Sequence, residues 1–165
     1  MDEDQLEVSV VVNGKPVIGH VPARMHLADF LREVLALTGT HLGCEHGVCG
    51  ACTLAVDGEI VRGSLMLAVQ ADGSTVETIE GLSGGGTIGL LQREFHLRNA
   101  LQCGFCTPGI LLTAADLVER NPHATREQIR EHLSGNYCRC TGYHAIVDAV
   151  ESACRAQIAS GRSRT

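Results

Sequence analysis

GCEHGVCGAC, residues 43–52, places three thiols, Cys44, Cys49 and Cys52, at C-x4-C-x2-C with glycines at 43, 47 and 50. That is the plant-type spacing of a loop wrapped around a [2Fe–2S] cluster. The chemistry accounts for the pattern. Iron needs several thiolates converging on one small inorganic core, and ten residues can supply three only by wrapping tightly around it. Glycine permits positive φ and close backbone approach. The N–H groups of such a loop can then point at sulfur and favour the reduced, more negative cluster.

Upstream, LEVSVVV (6–12), Asn13-Gly14 and KPVIGHV (15–21) give a β-hairpin signal. HLADFLREVLAL (26–37) sets Leu27, Phe30, Leu31, Val34 and Leu35 at helical spacing. Downstream, TLAV (53–56), Asp57-Gly58 and EIV (59–61) predict a second hairpin, and TVETI (75–79) a last strand. SLMLAVQ (64–70) is ambiguous between helix and strand. A small half-open sheet crossed by one helix is expected for residues 1–80.

GLSGGG (81–86) is a break in composition and is read as a linker. Beyond it, 87–159 reads as helical. IGLLQREFHLRNAL (88–101) carries an imperfect stripe of Leu90, Leu91, Phe95 and Leu97–Leu101. PGILLTAADLVERN (108–121) opens on Pro108, a first-turn residue. Thr125 and Gln128 form a candidate capping box. HAIVDAVESACRAQI (144–158) lines up Ile146, Val147, Val150, Cys154 and Ile158. Four such helices suggest a compact bundle, with a polar tail at 160–165.

Bulk composition narrows the function. The chain has 165 residues, enough for one large or two small domains. With 13 basic residues against 19 acidic, net −6, it lacks the basic footprint of a nucleic-acid binder. It has no apolar run of about 18 residues for a membrane span. The start, MDEDQLEV, has no apolar signal region, so a cytoplasmic protein is expected. In that setting eight clustered cysteines read as metal ligands before disulfides.

The helical half holds two further thiol pairs. LQCGFCTPG supplies Cys103 and Cys106; GNYCRCTGYH supplies Cys138 and Cys140. Each pair sits in a glycine-bearing loop before a helix, whose N-terminal N–H groups and dipole suit an anionic centre. Four thiols from two loops would close one site. Structural zinc is the competing reading, since four cysteines are also a zinc ligand set. C-x-C is unusual for zinc ribbons, however, and an iron–sulfur loop lies in the same chain.

Taken together, CEHGVCGAC, LQCGFCTPG and GNYCRCTGYH resemble the small iron–sulfur subunit of molybdenum hydroxylases, the xanthine oxidase, carbon monoxide dehydrogenase and aldehyde oxidoreductase family. The likeness spans roughly residues 6–155. It implies an α+β chain: an N-terminal β-grasp ferredoxin domain, then a C-terminal four-helix bundle, each with one [2Fe–2S] cluster. It implies an electron-transfer subunit of an oxidoreductase complex, with Cys103, Cys106, Cys138 and Cys140 holding the cluster nearer the molybdenum. The ferredoxin-type cluster would relay to FAD. Molybdopterin and FAD would lie on a large and a medium partner subunit, in a heterotrimer that can itself dimerise. Gln102 matches a family residue that hydrogen-bonds the pterin; alone it reads as a solvated helix-end amide. Two alternatives from other classes are a free-standing diffusible ferredoxin and a zinc-bearing interaction module.

One position departs from the family pattern. Ser64, in VRGSLMLAVQ, stands where the resemblance places a fourth cysteine. It could ligate as an alkoxide, a harder and poorer iron ligand than thiolate, which lowers the potential. A three-thiolate cluster completed by water or another group, or a lost cluster, are the other readings. The intact glycine loop favours a cluster present, with Ser64 at or near the fourth position. Cys154, mid-helix on an apolar face, reads as a buried small hydrophobe. His46 reads as a surface histidine, because a Rieske iron needs two. Tyr143 and His144 read as the start of a helix, without chemistry. GGG (84–86) lacks the strand and helix of a dinucleotide motif.

Overall fold

The computed structural model describes residues 5–161. Strands β1 (Gln5–Val12), β2 (Lys15–Pro22), β3 (Thr53–Val56), β4 (Glu59–Arg62) and β5 (Thr75–Glu77) form one five-stranded sheet in the order β2-β1-β5-β3-β4. β1–β2 and β3–β4 are antiparallel hairpins, and β5 runs parallel to β1 and antiparallel to β3. Both hairpin turns have positive φ at both central residues, Asn13-Gly14 (50° and 77°) and Asp57-Gly58 (50° and 82°). That backbone twist matches the strands, and Asn, Asp and Gly are the residues that tolerate it.

Val8, Val10 and Val12 alternate inward from β1 and pack with Val21, Leu27, Phe30, Leu31, Leu54 and Val76. The segment expected as one helix over 26–37 is shorter and of mixed type. His26 caps a turn, α1 (Leu27–Asp29), through Nδ1, and a π-helical stretch follows at Phe30–Val34. The wider π turn moves the apolar face out of register. Leu27, Phe30 and Leu31 are buried, whereas Val34 is 47% exposed. The ambiguous 64–70 stretch is neither α-helix nor strand: Leu67 bridges to His26, and a 3-10 turn follows at Ala68–Ala71.

The remaining helices are α2 (Ile79–Leu82), α3 (Gly86–Leu97), α4 (Thr107–Arg120), α5 (Arg126–His132) and α6 (His144–Ala159). α2 and the first residue of α3 take up part of 81–86, so only Ser83, Gly84 and Gly85 lie between helices there. α3 stops at Leu97, short of the expected 101. Asn99 takes a left-handed φ of 50° just past the end, a normal helix stop. Leu97 and Leu101 are therefore exposed, and the buried face is Ile88, Leu91, Glu94 and Phe95. Thr125 caps α5 reciprocally with Gln128, as a capping box does.

A second apolar core joins α3, α4, α5 and α6 through Leu91, Phe95, Ile110, Leu112, Val118, Ile129, Ile146 and Val150. Cys154 is 3% exposed within it, and burial pushes its thiol up to about 11, as for a packing residue rather than a ligand. Ile158 is 45% exposed instead, and Gln157 takes the buried position. Most of the expected 160–165 tail lies outside the described residues. No helix among them is long and apolar enough to cross a membrane.

Candidate metal centres

The Cys44 loop folds as its glycines require. A side chain at Gly43 would bring a Cβ within 3.1 Å of Cys49 Sγ. At Gly50, where φ is +70°, a Cβ would lie 2.3 Å from the Gly135 carbonyl oxygen. The loop turns its N–H groups onto sulfur: His46 and Cys49 donate to Cys44 Sγ at 3.4 and 3.3 Å, and Ala51 donates to Cys49 Sγ at 3.5 Å. The bonds from His46 and Cys49 bring the Cys44 thiol down to about 7, toward the thiolate that a metal takes. Burial pushes Cys49 up.

Cys52 and Ser64 form the other side of this site. The Cys52 thiol donates to Ser64 Oγ at 3.2 Å, and both residues are buried. Ser64 comes from just beyond the second hairpin, twelve residues away. The four donors therefore gather as two pairs: Cys44 with Cys49, whose side chains also hydrogen-bond, and Cys52 with Ser64. His46 is exposed, with its ring nitrogen on the Cys44 carbonyl.

The helical half repeats the arrangement. Cys103 and Cys140 lie with sulfurs 3.6 Å apart, exposed. Cys106 and Cys138 hydrogen-bond each other and are half-buried. Two thiolates on one tetrahedral metal, with bonds of about 2.3 Å, stand roughly 3.7 Å apart, close to the Cys103–Cys140 separation. Among the described residues no three His, Cys, Asp or Glu side chains surround one ion-sized point. The thiols stand two and two, which fits a two-iron core.

Burial drives Cys106 up to about 12. Burial acts on Cys138 in the same direction, but the Thr141 hydroxyl, 3.1 Å from its sulfur, and the N–H groups of Cys140 and Thr141 bring it net below the ordinary thiol value. Cys106 is the residue that opens α4, and Pro108 occupies its first turn.

Tyr143 does more than start α6. It adopts a left-handed φ of 69°, and its hydroxyl accepts from Cys138 N–H at 2.7 Å and donates to the Asn136 carbonyl at 3.2 Å. That holds the Cys138 loop closed, a role its sequence position does not advertise. Gln102 is exposed and donates through Nε2 to the Cys140 carbonyl at 2.9 Å, beside the outer thiol pair.

The two sites abut. Tyr137 N–H donates to the Cys49 carbonyl at 2.8 Å, and Phe105 stacks on His41 with ring centres 4.7 Å apart.

Comparison with known proteins matches both halves of the chain. Residues 10–79 match the family described as "2Fe-2S iron-sulfur cluster binding domain", and residues 78–151 match "[2Fe-2S] binding domain". The chain thus carries two [2Fe–2S]-binding domains in tandem. The caffeine dehydrogenase subunit gamma of Pseudomonas sp. (strain CBB1) is 52% identical over 148 residues, covering 88% of this chain and 89% of that one. The nicotine 6-hydroxylase small subunit of Paenarthrobacter nicotinovorans is 54% identical over 147 residues, covering 89% and 88%. A chain in the crystal structure of quinoline 2-oxidoreductase from Pseudomonas putida 86 superposes with a TM-score of 0.89 at 50% identity, over 96% of this chain and 99% of that one. The chain belongs to the small iron–sulfur subunits of molybdenum hydroxylases, and its function is electron transfer within an oxidoreductase complex. A free diffusible ferredoxin is not favoured.

Proposed function

We propose that Cys44, Cys49, Cys52 and Ser64 hold one [2Fe–2S] cluster and that Cys103, Cys106, Cys138 and Cys140 hold the other. The observation that carries this is the pairing of donors, two and two, at both places. When bound, each cluster takes up and releases single electrons, so two in series divide a two-electron oxidation. The chain's own residues set the conditions. Cys44 is readied by backbone N–H groups, Cys138 by the Thr141 hydroxyl, and Ser64 supplies a harder donor to the buried side of the first centre.

The domain division proposed is 1–80 and 87–159, the first a β-grasp and the second a four-helix bundle of α3 to α6. Partners in the proposed heterotrimer are a large subunit with the molybdopterin cofactor and a medium subunit with FAD. The cluster held by Cys103, Cys106, Cys138 and Cys140 would be the electron relay nearer the molybdenum, and the one held by Cys44, Cys49, Cys52 and Ser64 would be the relay to FAD. Gln102 lies beside the exposed Cys103–Cys140 pair, where a pterin contact would complete its amide's hydrogen bonding. Exposed Val48, Leu65, Leu101, Phe105 and Tyr137, all on or next to the ligand-bearing segments, suit burial against those subunits. Cysteines committed as thiolate ligands rather than to disulfides suit the reducing cytoplasm as the protein's location.

The test is isolation of the complex with metal, sulfide and absorption analysis. The proposal expects visible iron–sulfur charge-transfer bands and both partner chains. A colourless zinc protein, or a chain that purifies alone with full activity, would contradict it.

A further inference from the structure

A buried polar clamp joins the two ligand loops. Asn136 is 1% exposed, and its Nδ2 donates to the Gly50 carbonyl at 3.0 Å and to Thr53 Oγ1 at 3.3 Å. Arg62 reaches back the other way, donating to Thr53 Oγ1 at 2.5 Å and to the Gly135 carbonyl at 2.9 Å. Thr53 itself donates to the Gly50 carbonyl at 2.6 Å, so its hydroxyl is fully used. The bonds of Asn136 to Gly50 and Thr53, and of Arg62 to Gly135, join residues more than 70 positions apart.

Their placement matters more than their number. Gly50 lies between Cys49 and Cys52, and Asn136 lies two residues before Cys138. The main chain of Asn136 is held in turn by the Tyr143 hydroxyl. A Cβ at Gly109 would sit 2.4 Å from the Gly50 carbonyl oxygen, so the first turn of α4, which follows Cys106, closes on the same atom. Asn136 Oδ1 is buried without a hydrogen-bond partner among the described residues.

We propose that Asn136, with Arg62, is a positioning residue that fixes the separation and mutual orientation of the two [2Fe–2S] centres. This rests on the ligand assignment above. The amide and the guanidinium act through Gly50, Thr53 and Gly135. They move no proton and touch no thiol. They hold the Cys49–Cys52 segment and the Cys138 segment in one rigid unit, so that the distance for an electron's hop does not fluctuate.

The experiment uses the intact complex, as wild type and with Asn136→Ala or Arg62→Met, each removing one arm of the clamp from one half. Low-temperature EPR of the fully reduced protein reads the magnetic splitting between the two centres, and iron analysis reads their content. The expected result is a resolved splitting in the wild type that is lost or smeared in either variant, with both sets of g-values and the iron content kept. Unchanged splitting at full iron content would overturn the proposal. So would loss of iron in both variants, since the residues would then build the centres rather than space them. A wild type with one centre only would refute the ligand assignment and the clamp with it, and the wild-type iron content separates that failure from the others.

Discussion

The two proposed ligand sets reach the same two-and-two geometry by different routes. In the first, three donors come from nine consecutive residues, Cys44 to Cys52, and glycines shape the loop; only Ser64 arrives from outside. In the second, two short loops 35 residues apart are brought together by helix packing, with Tyr143 and Thr141 finishing the job. The first site is therefore a local structure with one weak donor. The second is a tertiary structure with four strong donors. Damage to the second should spread into the fold, whereas damage to the first should stay local and electronic.

The largest expected effect is from Cys138→Ala. It removes a donor from the inner pair of the site that depends on packing. The variant should lose the helical-half cluster, half of the iron, and electron flow from substrate to flavin, with unfolding of α4 to α6 at lower temperature. Iron analysis, flavin reduction and circular dichroism read this together. Normal turnover with an intact flavin signal would break the contrast between the sites.

Ser64→Cys sharpens it from the other side. Replacing the harder oxygen donor by thiolate should raise the potential and improve retention of the first cluster alone. Redox titration followed by EPR should show one signal moving. Movement of both signals, or of neither, would remove Ser64 from the ligand set.

Tyr143→Phe should lower stability by about 1–2 kcal/mol, because the Cys138 N–H and the Asn136 carbonyl each lose a partner. Thermal unfolding measures it, and the first cluster's spectrum should be unaffected.

The smallest effect concerns Glu80. Burial works against its charge, but hydrogen bonds from the Thr78 hydroxyl and the Gly39 N–H bring its carboxyl net below the usual value. A lowered folded-state pKa gives stability that is present above the unfolded value, about 4.5, and lost as pH falls through the folded one. Because Glu80 is exposed, Glu80→Gln should cost no more than about 0.5 kcal/mol at pH 7 and less at pH 3, below the unfolded value. Denaturant midpoints at the two pH values check this.

Legibility in the sequence follows the same divide. The Cys44 loop, the Asn13-Gly14 and Asp57-Gly58 hairpins, the Pro108 helix start and the Thr125 cap all rest on residues within a few positions of each other, so local chemistry announces them. The pairing of Cys52 with Ser64 follows only once the second hairpin is folded. The Asn136–Gly50 and Arg62–Gly135 contacts carry no sequence signal, because a polar residue that bonds across 70 or more positions looks like any loop residue. In the sequence Tyr143 reads as no more than the start of a helix, because its hydroxyl's partners, Cys138 and Asn136, are set by the turn of the loop and not by spacing. The π stretch at Phe30–Val34 escaped because a helical period cannot reveal one widened turn.

Spin quantitation of the reduced complex alongside iron and acid-labile sulfide analysis tests the two-centre claim most directly. The account predicts two distinct one-electron signals of equal intensity, with about four irons and four sulfides per chain, two from each matched domain. A single signal with about two of each would show that the Ser64 site carries no cluster, and would contradict it.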